Sequence, residues 1–187
     1  MNSNLTLFIE FLTSIKKTPG DLQFLPSPDE WLDSLLGKNA KKFFRIHFRN
    51  AAGDLVGEWD INGGFDENES FPFVWLSSEG TNTVVASNSN EFLSILPYGQ
   101  GIITGIPDLL KTYRKRPTKV IAPEIEFDKI NIKNAYLYQA SNFNGHPDMV
   151  NFITNTLGIA VNESPLETIS KAVDNFPDVD KWIEETL

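Results

Sequence analysis

The chain has 187 residues, 41% of them hydrophobic, with sixteen Lys and Arg against 25 Asp and Glu, a net charge of −9 and no cysteine. That length suits one domain able to bury a sizeable core. The acidic balance argues against direct nucleic-acid binding, whose affinity comes from cations on phosphates. Without cysteine there are no disulfides, thiolate nucleophiles or thiolate metal sites, which fits a reducing, cytoplasmic setting.

The longest unbroken apolar run, Phe71 to Leu76, is far short of the ~20 residues of a membrane helix. The N-terminus lacks a basic lead and Glu10 interrupts its apolar run, so no signal peptide is expected.

In chain order, residues 4–17 place Leu5, Phe8, Ile9, Leu12 and Ile15 on one helical face, and Pro19-Gly20 stops the helix. Ser27-Pro28-Asp29-Glu30 reads as a capping box before Trp31, Leu32, Leu35 and Leu36. Phe44, Ile46 and Phe48 then alternate with Arg45, His47 and Arg49, predicting a half-buried strand. Ala52-Gly53-Asp54 turns the chain into a second strand, with Leu55, Gly57, Trp59 and Ile61 on one face.

A second hairpin joins Phe73–Leu76 to Thr83–Ala86 across Glu79-Gly80-Thr81-Asn82, and Asn88-Ser89-Asn90-Glu91 opens a helix carrying Phe92, Leu93, Ile95 and Leu96. Lys119–Ala122 and Ala135–Gln139 are weaker strand candidates, and residues 114–134 read as an extended connection. His146-Pro147-Asp148 opens another helix that ends before Gly158, and Ser164-Pro165-Leu166-Glu167 repeats the capping box. Two hairpins flanked by helices predict an α+β fold, an antiparallel-rich sheet with helices on one face. One domain is expected over 1–187, with helical segments at about 4–37 and 146–187.

Charge is segregated. Lys38, Lys41, Lys42, Arg45 and Arg49, with Lys111, Arg114, Lys115, Arg116 and Lys119, hold ten of the sixteen cations. Acids gather at Asp54, Glu58, Asp60, Asp66, Glu67, Glu69 and Glu79, and in 163–187, where seven acids face two lysines. Such segregation can steer a basic partner.

Signs of catalysis are few. His47 lies on the polar phase of a strand and His146 at a helix start, so neither pattern brings the two together. Gly99-Gln100-Gly101-Ile102-Ile103-Thr104-Gly105 follows a helix rather than a strand, which suits a helix C-cap better than a dinucleotide loop. The acidic stretch 60–69 has the composition of a calcium loop without its order. No catalytic residue, cofactor or metal site is assigned. The fourteen Phe and four Trp read mainly as core, with Trp59 and Trp75 as alternative anchors of a binding surface.

The run Phe71-Pro72-Phe73-Val74-Trp75-Leu76-Ser77-Ser78-Glu79-Gly80, then Thr83–Asn88 and Glu91–Leu96, resembles the central segment of the SUKH superfamily. The ending Phe176-Pro177-Asp178-Val179-Asp180-Lys181-Trp182 is similar to that family's closing Phe-Pro-Asp-x-x-x-Trp helix. The family holds the fungal cell-wall glucan-synthesis regulator and many bacterial immunity proteins. The resemblance implies a mixed sheet with flanking helices, no catalytic apparatus, and binding to a protein partner, in many members a toxin such as a basic nuclease. Trp59, Asp60, Asp66, Glu67, Glu69 and Glu79 are the expected partner-binding residues, with Asp66, Glu67 and Glu69 at their centre. Two alternatives stay open: a regulatory scaffold of the same fold, and a ligand binder or enzyme using an acidic cleft lined by Trp59, Asp60 and Glu79.

Overall fold

The structure, a computed structural model, describes residues 3–26, 29–66, 69–104 and 122–187. Helix α1 (Ser3–Ser14) leads to strand β1 (Gln23–Phe24) and helix α2 (Asp29–Leu36). Strands β2 (Phe44–Arg49), β3 (Leu55–Trp59), β4 (Phe73–Leu76) and β5 (Thr83–Ala86) follow. Helices α3 (Ser89–Ile95), α4 (Gln100–Ile103), α5 (Ala122–Asn142), α6 (His146–Asn151), α7 (Pro165–Asn175) and α8 (Val179–Thr186) follow among the described residues.

The five strands form a meander in the order β1-β2-β3-β4-β5. The α+β class and both hairpins stand as the sequence predicts. Every pairing among the described residues is antiparallel, where the family resemblance implied a mixed sheet.

Helices cover both faces of the sheet rather than the one expected. β3, β4 and β5 are buried at every position, so neither face is left to water. One core joins Leu5, Phe8 and Leu12 of α1 to Phe73, Trp75, Phe92 and Ile153. The other joins Leu32 of α2 to Phe44, Ile46, Trp59, Val74 and Val179. Helix α7 serves both, with Ile169 in the first core and Ala172 in the second. It thereby shields β5, which pairs with β4 on one side and carries the outer edge of the sheet.

Two bulges shift which side chains of β2 and β5 enter each core. Ile46 pairs with Gly57 and Phe48 with Val56, leaving His47 as an extra residue. The side-chain phase therefore reverses: Phe44 and Ile46 enter one core, Phe48 the other. The simple alternation expected for 44–49 is thus corrected. A second reversal at Val85 separates Val84 from Ala86 in the same way.

The expected strand Ala135–Gln139 lies inside helix α5, and 122–134 is helical rather than extended. Ile132, Ala135, Tyr136 and Gln139 face inward at helical spacing, and a buried glutamine at the fourth position hides the stripe in the sequence. Residues 105–121, with the strand candidate's positions 119–121 and the second basic run, lie outside the described residues. So do Ser27 and Pro28 of the first capping box.

At α3 the box is reciprocal but shifted. Asn88 accepts from the Glu91 N–H at 2.9 Å, and the Glu91 carboxylate accepts from the Ser87 N–H at 2.9 Å. Ser164 makes no side-chain cap, and Glu167 pairs with Lys171 instead.

Gly57 sits where β2 and β3 approach most closely: a Cβ there would collide with the Arg45 carbonyl oxygen and the Ile46 Cα. Backbone cannot yield as a flexible side chain can. Gly57→Ala is expected to cost about 3 kcal/mol or more in urea unfolding, whereas Gly101→Ala, in open space within α4, is neutral or stabilises by up to about 1 kcal/mol. Equal effects would contradict the close approach.

Candidate partner-binding groove

The structure does not bring the six expected partner-binding residues together. Trp59 is fully buried, stacked on Phe44 at 6.3 Å between ring centroids and set edge-on to Trp182 at 5.3 Å. It belongs to the core and cannot anchor a surface. Asp60 is also buried, and its carboxylate accepts from the N–H groups of Asn62 (3.0 Å) and Phe65 (2.9 Å). That carboxylate organises its own loop rather than meeting a partner.

Asp66 and Glu69 are exposed in the loop that follows, and Glu67 lies outside the described residues. Glu79 is exposed in the β4–β5 turn, at the opposite end of β4. The loop also folds back onto the first basic run. The Arg45 guanidinium lies 4.3 Å from the centre of the Phe65 ring, and Gly63 packs on the side chains of Lys42 and Phe43. Acid and base that are separate along the sequence are neighbours here.

Both histidines are buried, where strand phase and helix start suggested surface or capping roles. His47 Nε2 is 3.0 Å from Glu58 Oε2, and the Arg45 guanidinium is 3.5 Å from the same oxygen. The bulge turns His47 inward, so the ring meets Phe73 at 5.9 Å instead of solvent. His146 Nε2 is 2.9 Å from the Pro97 carbonyl oxygen; donation to that oxygen fixes the tautomer. Burial pushes the His146 pKa below the usual histidine value, and the Pro97 bond offsets this only in part.

The glycine run after α3 is filled by the protein's own groups. Gly99, with φ +68°, ends the turn Leu96–Tyr98 and also opens α4, and Asp21 accepts from the Gln100 N–H (2.9 Å) and from Gln139 Nε2 (2.7 Å). Among the described residues no group of three or more His, Asp or Glu could hold a metal.

A different concavity unites acidic side chains. A groove of about 500 Å3 runs between the start of β5 and the α7–α8 corner. Asn82, Thr83 and Val84 form one wall; Val173, Phe176 and Val179 supply apolar surface; Asp178, Asp180 and Glu184 supply charge. The corner follows from local chemistry. Pro177 cannot continue α7, and Asp178 caps α8 by accepting the Lys181 N–H at 3.1 Å. Asp180 accepts the Asn82 N–H at 2.8 Å, tying helix to strand.

Glu184 follows Asp180 by one helical turn and is exposed. Like charges four apart destabilise a helix slightly, and acids in a last turn oppose the helix dipole. Helix α8 has no base in its last turn. Its Lys181–Glu185 pair, at 3.7 Å, is exposed and contributes little. Helix stability therefore does not account for Glu184. The sequence showed the acidic excess of 163–187 but not which acids share a groove. The spacing of Asp180 and Glu184 is the signal that could have found them.

The chain matches no family model, no curated protein and no solved structure. No helix among the described residues is long and apolar enough to cross a membrane.

The buried His146 gives a pH test. Its folded pKa lies below the unfolded 6.5, so the unfolded chain binds the extra proton and stability falls as pH drops through 6.5. The loss levels off below the folded pKa. His146→Gln, which can still donate to Pro97, is expected to lose less stability than wild type between pH 7.5 and 5 in urea unfolding. Identical pH profiles would contradict a buried neutral imidazole.

Proposed function

We propose that the chain is a non-catalytic protein-binding module of the cytoplasm that holds a basic partner against the groove between β5 and the α7–α8 corner. The observation that carries this reading is the groove itself, which combines an apolar floor with Asp178, Asp180 and Glu184 and includes an acid that helix stability does not explain. Acidic surface of this kind speeds encounter with a basic protein and fixes its orientation. The commitment of both histidines to internal hydrogen bonds supports a binding role over a catalytic one. The cleft of Trp59, Asp60 and Glu79 has no support, since the first is core and the other two lie at opposite ends of the sheet.

The SUKH-like segments have scaffold roles consistent with such a module. In the Ser-Glu-Gly turn, Ser77 Oγ accepts the Glu79 N–H at 3.1 Å and Gly80 takes φ +82°. In the closing segment Asp178 caps α8 while Trp182 packs on Phe43, Phe44 and Trp59. By that resemblance, the reading is an immunity-type protein that neutralises a cognate toxin, a basic nuclease being one example. A regulatory scaffold of the same fold is distinguished by the genes that lie beside it.

Co-expression with the product of the neighbouring open reading frame tests the reading. A retained complex that weakens with salt is expected. Glu184→Lys should reduce affinity at least about tenfold, while replacing Asp66, Glu67 and Glu69 together by Ser should change it less than about twofold. The reverse pattern would move the interface to the loop. A neighbour that is neither toxic nor bound would remove the immunity reading.

A further inference from the structure

We infer that the groove is built to hold one arginine side chain of the partner, its stem on the apolar floor and its guanidinium across Asp180 and Glu184. This inference rests on the protein-binding reading and specifies the chemistry of the same site. Three features favour arginine over a diffuse basic surface.

The first is the mixed lining. Half-buried Val173 and Phe176, backed by buried Val84 and Val179, line the same concavity as the acids, which suits a guest apolar along its length and cationic at its end. The second is spacing. Positions 180 and 184 are one helical turn apart, which puts their Cβ atoms about 5–6 Å from each other. A planar guanidinium with five donors can bridge two carboxylates so placed, whereas an ammonium is a compact point charge that engages one closely. The third is order before binding. The Asn82 N–H holds the Asp180 carboxylate from the turn before the edge strand at 2.8 Å, so one half of the receptor is already oriented.

Lys181, which also borders the groove, does not occupy this place, since its ammonium lies 3.7 Å from Glu185. Aqueous desolvation favours the same choice. Guanidinium is more weakly hydrated than ammonium and loses less on entering a partly apolar groove.

The test uses the full chain and the peptide Gly-Ser-Arg-Ser-Gly, with lysine and citrulline in place of arginine as controls, followed by backbone amide NMR. The arginine peptide is expected to shift the amides of 82–84 and 176–184 in a saturable way. The lysine peptide should bind at least about threefold more weakly, and the uncharged citrulline peptide should leave the groove unshifted. Glu184→Gln, an exposed change that keeps the fold, should weaken the arginine peptide about five- to tenfold.

Equal affinity for arginine and lysine, binding of citrulline, shifts centred on Asp66 and Glu69, or no binding at all would each overturn the inference. If the peptide fails while Glu184→Lys still releases the co-expressed partner, the arginine site falls and the protein-binding reading stands. If no partner is retained but the peptide binds as described, the reading falls and the site stands.

Discussion

Trp182 meets Trp59, Phe43 and Phe44 edge-on, with ring centroids 5.0 to 5.8 Å away, and much of the structure depends on that contact. It seats α8 on the second face of the sheet, where β2 and β3 would otherwise expose Phe44, Ile46 and Trp59. Aromatic pairs in this geometry add about 0.5–1.5 kcal/mol each beyond the area they bury. The contact also has to outweigh a cost. The buried Trp59 Nε1–H finds no acceptor among the described residues, a loss of about 1–3 kcal/mol. With α8 seated, Asp180 reaches the Asn82 N–H and the groove acquires its second wall. The core contact and the groove are thus two consequences of one docking event.

A sheet with short strands can bury both faces only if its side chains are divided between two cores. Alternation makes that division along β4, and the bulges at His47 and Val85 reverse its phase within β2 and β5. The one at His47 also places a titratable ring inside, beside Glu58 and under the edge of Arg45. Removing one member of such a set leaves a buried partner unsatisfied, so single substitutions at His47 or Glu58 disturb the β2–β3 pairing. The charges most apparent in the sequence of this region therefore serve the fold, while the groove draws its charge from the C-terminal helices.

What the sequence made legible follows from periodicity. Leu5, Phe8 and Leu12 declared α1, and Leu55, Gly57 and Trp59 declared a strand face, because local spacing alone decides such patterns. The phase reversal at His47 was not legible, since an extra residue leaves the alternation of types unchanged. Helix α5 was missed because Gln139 interrupts its apolar stripe; its amide is buried with Asp21, a partner 118 positions away. Trp59 was readable as core by residue type and strand phase together. Beyond the spacing of Asp180 and Glu184 the groove was not readable, because the packing of α7 along β5 is what brings Asn82–Val84 beside Phe176–Glu184. The acids clustered at 60–69 belong to a loop that the fold lays against Arg45 and Lys42.

The measurement that bears most directly on this account is carboxylate footprinting of the chain, free and in complex with the product of the neighbouring reading frame. Carbodiimide labelling read by mass spectrometry reports each exposed acid separately. Protection of Glu184 and Asp178 on complex formation, with Asp66 and Glu69 labelled equally in both states, is the predicted result. Protection of Asp66 and Glu69 with Glu184 still fully labelled would contradict it.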